Sequence, residues 1–233
     1  MRRRMRWIFG GLLVIVGGYA AFTLYSWTRT NSPLYIGRWF TDRANRPPLM
    51  TEREAPCTDA PFLLPSNGFI GLLYADPAGP YNLINRHTGV DIFGNGRPGE
   101  IPIVAVYDGE LTRLPSWRST VIIRHDDPLQ PGRTIWTYYT HMADVTGTNS
   151  FVHPDFPPGT YDVPVRQGQI IGFQGDFGGN RRVGLHLHFS ITTSNEDGTF
   201  KNESVLANTL DPSPYLGMNV RASDAPARPI NCG

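Results

Sequence analysis

The chain has 233 residues, 21 lysines and arginines against 20 acids, and only 18% charged residues. That length suits one domain with extras or two small domains, and the near-neutral balance argues against a dedicated nucleic-acid binder. With 25 glycines and 21 prolines and no collagen-like period, many short strands joined by turns are expected rather than long helices.

The charge is unevenly placed. Arg2, Arg3, Arg4, Arg6 and Arg29 give residues 1–30 a charge of +5 and no acid, which leaves −4 on the rest. Between the basic tip (1–6) and Arg29 runs an uncharged stretch, 7–27, with Trp7, Tyr25 and Trp27 near its ends. As a helix it spans roughly 31 Å, enough for a hydrocarbon core. Aromatic ends and arginines before it predict a transmembrane signal-anchor with the tip in the cytoplasm and the body outside. A cleavable signal peptide is the rival, with small residues at Ala20 and Ala21, and it would make the body secreted. The apolar run exceeds the usual signal core, which favours the uncleaved anchor.

Export gives Cys57 and Cys232 a reading as a disulfide joining the entry of the body to its tail, the alternative being two free thiols. Residues 28–60 are polar, carry Pro33, Pro47, Pro48 and Pro56, show no sustained period, and are expected to be an extracytoplasmic linker. The body, 61–216, offers strand-like runs at 101–107, 119–125, 133–141 and 184–191, rich in β-branched and aromatic residues and bounded by turn signals. Thr146–Pro164 reads as a surface excursion, and 217–233 as an irregular tail.

The chemistry lies in the histidines. In Leu185-His186-Leu187-His188-Phe189 the two imidazoles share one strand face while the apolar residues take the other. An H-x-H on an apolar strand is either a pair of satisfied core histidines or a site. His87-x3-Asp91 adds an imidazole and a carboxylate, and Gly89 between them indicates a bend or extended approach. His, Asp and His together suit a tetrahedral Zn²⁺ with its fourth position open to water. His141, ending a strand-like run, is either a surface histidine or a proton carrier in the same cleft. His125 suits a turn or a place behind the site, and His153 suits solvent.

The order His87-x3-Asp91, Tyr139-Thr-His141, His186-Leu-His188, with Ile101-Pro-Ile-Val-Ala-Val-Tyr-Asp-Gly and Val165-Arg-Gln-Gly-Gln-Ile-Ile-Gly, resembles the M23 peptidases, the LytM and lysostaphin-type zinc metalloendopeptidases, over roughly 61–216. The resemblance implies an all-β, mainly antiparallel LytM-like domain with a groove floored by its central sheet. It implies one Zn²⁺ per chain held by His87, Asp91 and His188, with His141 and His186 as the catalytic pair. The implied activity is hydrolysis of peptide cross-links in bacterial peptidoglycan. Tyr74, Tyr81, Phe93 and Trp117 are equally readable as groove, core or surface. Thr146–Pro164 and Asn95–Glu100 depart from the family's pattern, so the bond cleaved does not transfer. A non-catalytic LytM-like module that binds the wall or activates another hydrolase is the alternative, and retention of all five polar positions favours the enzyme. The expected partners are the peptidoglycan peptide and the membrane, not nucleic acid; a wall-machinery partner is left unspecified.

Overall fold

The structure, a computed structural model, describes residues 16–179 and 182–233. Eleven strands are defined: β1 (Phe69–Ile70), β2 (Val90–Phe93), β3 (Pro102–Val104), β4 (Gly109–Arg113), β5 (Val121–Asp126), β6 (Thr134–Thr140), β7 (Thr160–Val165), β8 (Ile170–Phe173), β9 (Gly175–Phe177), β10 (Arg182–Thr193) and β11 (Thr209–Leu210). Nine form one sheet in the order β1-β2-β10-β6-β5-β4-β7, with β9 and β11 also on β10, while β3 and β8 pair separately. Every pairing is antiparallel.

Alternation along the strands divides the sheet into two faces. Ile135 and Tyr139 of β6, Val121 and Ile123 of β5, and Leu187, Phe189 and Ile191 of β10 point into the main core. The opposite face carries Trp136 and Tyr138, with Ile122, under Phe200 and Trp117. On β10 that same face bears His186 and His188, because side chains two apart share a side. The functional histidines therefore sit on the sheet's second face, a floor made rigid by the hydrophobic core beneath it.

The stretch 28–60 differs from the expected linker. It contains helix α1 (Ser32–Thr41), started by Pro33 where its missing N–H costs nothing. Trp39 is buried, stacks on Phe69 at 5.1 Å and has the Arg46 guanidinium over its ring at 4.9 Å. Trp39, Leu49, Phe69 and Phe93 form a second small core. The physical reason for the difference is economy of apolar residues: one Trp and one Leu, each fully used, fix the segment without producing a long stripe. Ser32 Oγ donates to the buried Asp76 carboxylate. Arg228 reaches across from the tail to the carbonyls of Ile70 (2.7 Å) and Gly71 (3.1 Å) and to Ser32 Oγ (3.3 Å).

Two other expectations are modified. Thr146–Pro164 is tied down, with Val152 and Phe156 buried and its end entering β7. The tail is irregular, apart from short helical turns, yet Met218, Val220, Ala222 and Ile230 belong to the main core. Cys57 and Cys232 form a disulfide. Residues 7–15 of the stretch expected to span a membrane, like the basic tip before it, lie outside the described residues; the remainder, 16–27, is helical. Among the described residues no helix is long and apolar enough to cross a membrane.

Candidate functional site

Register brings the polar residues together. The pairing of β2 with β10 sets Asp91 opposite His188 and Phe93 opposite His186, while β6 sets Thr140 opposite His188. His87 lies just before β2 and reaches the same point because Gly89 lets the chain pass close to β10. A Cβ at Gly89 would lie 2.1 Å from the Phe189 carbonyl oxygen. No side chain fits there.

Three donor atoms converge. His87 Nε2 lies 3.1 Å from Asp91 Oδ1, His188 Nδ1 lies 2.9 Å from that oxygen, and the two nitrogens are 2.9 Å apart. All three residues are buried. The opposite edges of the rings settle which atoms carry protons, an assignment made from their partners. His87 Nδ1 donates to the Leu73 carbonyl at 2.9 Å, leaving a lone pair on Nε2. His188 Nε2 faces the Glu203 carboxylate at 3.4 Å and makes no full hydrogen bond. With its N–H on that side, His188 would present a second lone pair to the centre. Two imidazole lone pairs and a carboxylate oxygen cannot be neighbours without a positive charge between them. Without a metal that charge is a proton: burial opposes it, but the bond to Asp91 and the nearby Glu203 carboxylate push His188 up to about 10. Burial alone would raise Asp91, but its surrounding imidazoles, His188 Nδ1 at hydrogen-bond distance among them, hold it well below the usual carboxylate range. The donor spacing approaches the roughly 3.4 Å between ligands on a tetrahedral ion with bonds of about 2.1 Å. Among the described residues, His87, Asp91 and His188 are the group able to hold a metal ion.

His141 and His186 flank this cluster, their rings 4.4 Å apart. His141 adopts a left-handed backbone conformation, φ +73°, a strained choice for a side chain with a Cβ. That conformation follows the end of β6 and turns the ring toward β9, where Nδ1 donates to the Phe177 carbonyl at 2.6 Å. Burial lowers His141 to about 3 and also lowers His186, so both rings are neutral at pH 7. His186 Nδ1 donates to the Gly184 carbonyl at 3.1 Å, and its ring stacks on Phe93 at 4.9 Å. Each imidazole thus keeps Nε2 as its unprotonated nitrogen.

Asp91, His141, His186 and His188 open into a groove of about 420 Å³, with His87 buried behind them. One wall comes from α1, through Ile36 and Phe40; another comes from Gly79, Pro80 and Tyr81. Phe40 meets Phe93 edge-on at 5.6 Å, and Tyr81 lies over His87 at 4.9 Å. Of the aromatic residues open to several readings, Tyr81 and Phe93 line the groove, Tyr74 is buried beside Thr209, and Trp117 packs on Phe200. His125 is buried away from the site, bonded to the Asp108 carbonyl and Thr137 (both 2.8 Å). It adjoins a larger cleft of about 820 Å³, which lacks any comparable cluster among the described residues. His153 is part-exposed beside Asp155. Sequence reasoning missed Glu203, Ile36 and Phe40, none of which shares a local motif with the histidines.

A sheet-floored groove, a three-donor cluster fit for a metal ion and two neutral imidazoles at its rim make up the site. Residues 85–200, which include all five polar positions, match the family model Peptidase family M23, and the chain belongs to that family. Among solved structures, the antimicrobial peptidase lysostaphin from Staphylococcus simulans is 25% identical, covering 59% of this chain and 46% of its own, with a TM-score of 0.37. A solution structure of lysostaphin is 26% identical over 56% of this chain and 43% of its own, with a TM-score of 0.35. A catalytic-domain variant of the prophage-encoded M23 protein EnpA from Enterococcus faecalis is 23% identical over 65% and 95%, with a TM-score of 0.32. This chain thus spans less than half the length of the lysostaphin chains. No curated protein matches it.

Proposed function

We propose that the chain is a zinc metalloendopeptidase that hydrolyses peptide cross-links of bacterial peptidoglycan from the outer side of the cell membrane. The observation that carries the reading is the convergence of His87 Nε2, Asp91 Oδ1 and His188 Nδ1 on one point, with the His87 Nδ1–H spent on a backbone carbonyl. His, His and carboxylate is a donor set suited to Zn²⁺, and a ligand imidazole ordinarily gives its other N–H to a carbonyl or carboxylate. When bound, the ion supplies Lewis acidity toward the scissile carbonyl and acidifies water.

The protein's own groups do the rest. His141 and His186 are neutral and fixed by backbone carbonyls, so each offers an unprotonated Nε2 beside the cluster. One of the pair removes the proton of the attacking water and returns it to the leaving amine. The other, also with an unprotonated Nε2, accepts a hydrogen bond from the same water and orients it for attack. Phe93 stacks on the His186 ring, and Phe40, edge-on to Phe93, extends that wall of the groove.

Anchoring and export belong to the same proposal. The arginine-tipped apolar stretch 7–27 supports a membrane anchor, and the Cys57–Cys232 bridge supports an oxidising compartment for the body. The full chain, purified in detergent and incubated with cross-linked muropeptides of several bridge chemistries, should release new products that disappear with EDTA and return with zinc. Absence of any product from every bridge chemistry, by a chain that binds zinc, would sink the endopeptidase reading.

A further inference from the structure

We propose that Glu203 is a positioning residue of this site, the carboxylate that fixes which nitrogen of His188 faces the metal. The proposal rests on the zinc reading above and concerns a residue outside the matched segment 85–200.

Glu203 is placed by construction. After β10 the chain turns back through residues 194–200, and Phe200 packs on Trp117, Trp136 and Tyr138. Tyr138 Oη donates to the Lys201 carbonyl at 2.7 Å, and Asn208 Nδ2 donates to the Asn202 carbonyl at 2.9 Å. These contacts bracket Glu203 and hold its mostly buried side chain over the end of the floor, 22% exposed. Its Oε2 accepts from Thr88 Oγ1 at 3.3 Å, from the residue next to the donor His87. The same oxygen stands 3.4 Å from His188 Nε2, a buried nitrogen with no other partner among the described residues.

The chemistry of His188 makes this contact consequential. A neutral imidazole has one N–H and one lone pair, and either nitrogen can carry either. If the proton sat on Nδ1, it would point at the convergence and remove a ligand. A carboxylate beyond Nε2 makes that tautomer unfavourable, since it would leave a lone pair facing a negative oxygen. Glu203 therefore selects Nε2–H and delivers Nδ1 as a donor, and it raises the basicity of the ring. The Leu73 carbonyl does the equivalent service for His87 with no charge.

The test is zinc affinity of the full chain in detergent, by competition with a chromophoric chelator, for wild type, Glu203→Gln and Glu203→Ala. Glu203→Ala should weaken zinc binding by about 10–100-fold. Glu203→Gln, which keeps shape and an acceptor oxygen but not the charge, should fall between it and wild type. Metal-free Glu203→Gln should still unfold in one cooperative transition, at a midpoint somewhat below wild type because the His188 proton loses its carboxylate partner, and zinc affinity measured well below that transition separates positioning from folding. If Glu203→Ala does not fold, a loss of zinc affinity in Glu203→Gln still decides the matter. Both variants within twofold of wild type would overturn the role of Glu203 while leaving the metal site intact. A wild-type chain that binds no zinc would overturn the metal reading and this proposal with it.

Discussion

Replacing Cys57 and Cys232 together with alanine should destabilise the protein by several kcal/mol. The two are separated by 175 positions, and closing a loop of that length in the unfolded chain is worth about 5 kcal/mol in the chain-entropy account. Native bridges measure about 2–5 kcal/mol on removal, and at about 2–4 °C per kcal/mol for a domain of this size the midpoint should fall by roughly 5–20 °C. The loss has a local component as well. Cys57 is buried against Gly217, and the end of the tail is otherwise held by backbone bonds such as Gly233 N–H to the Gly217 carbonyl at 2.9 Å and by Ile230 paired with Thr51 Oγ1. Without the bridge the tail frays first, and Arg228 is the residue that links the tail to Ser32 at the start of α1. Thermal unfolding of the zinc-loaded double variant against wild type measures the effect. A midpoint that stays with wild type would refute the reasoning, since it would mean that neither chain entropy nor the tail depends on the link.

Three further outcomes are expected. On the proposed mechanism, in which the ring takes part in proton transfer and not in the three-donor cluster, His141→Ala should lower turnover on a cleavable muropeptide by about 10²–10⁴-fold while zinc content stays unchanged; loss of the metal would place His141 among the ligands instead. His125 is buried and its pKa is lowered to about 4 by burial, below an unfolded value near 6.5. Between those values the unfolded chain binds a proton that the folded chain refuses, so stability falls as pH drops from about 6.5 to about 4, by roughly 3 kcal/mol in all; urea unfolding of His125→Gln should show a correspondingly flatter pH dependence, and parallel curves would count against it. Trp39→Ala should cost about 3–5 kcal/mol of packing and expose 28–60 to limited proteolysis before the sheet unfolds; simultaneous loss of both would mean that the segment and the sheet form one cooperative unit.

Much of the sheet was legible because its strands advertise themselves. Thr134–Thr140 alternates core and outer-face residues, Val121–Asp126 is β-branched, and His186/His188 on an alternating strand must share a face. What no local pattern contains is register. Asp91 stands opposite His188 only because β2 pairs with β10 in one alignment, and a slip of one residue would send the carboxylate to the core face. Gly89 was readable as a bend, but its need for closeness to Phe189 shows only in three dimensions. The linker expectation failed for a related reason. Tyr35, Ile36, Trp39 and Phe40 do have helical spacing, yet ten residues between prolines and polar loops carry too weak a signal, and the stability comes from Phe69 and Phe93.

The segment recognisable as a peptidase domain is smaller than the unit that forms the site. Residues 85–200 supply the five histidine and aspartate side chains, but not the surroundings that hold and cover them. Leu73, which bonds His87, precedes the segment, as do Ile36 and Phe40 of the groove wall and Gly79, Pro80 and Tyr81 of the facing loop. Glu203 follows it, and so does Arg228, which fastens the backbone of Ile70 and Gly71 to the start of α1. The helical residues 16–27 end against the same loop, with the Trp27 indole so near Gly79 that a Cβ there would lie 2.4 Å from Cζ2, and with Ser26 Oγ 3.4 Å from the Leu83 amide. Only a few residues separate this contact from Ser32 and its bond to Asp76. A fragment starting at residue 50 would keep every donor atom and lose one side of the groove, the cover of Phe93 and the stacked support of Phe69. Metal binding and substrate binding should therefore separate on such a truncation, because the first depends on the sheet's register and the second on what the N-terminal segment lays over it.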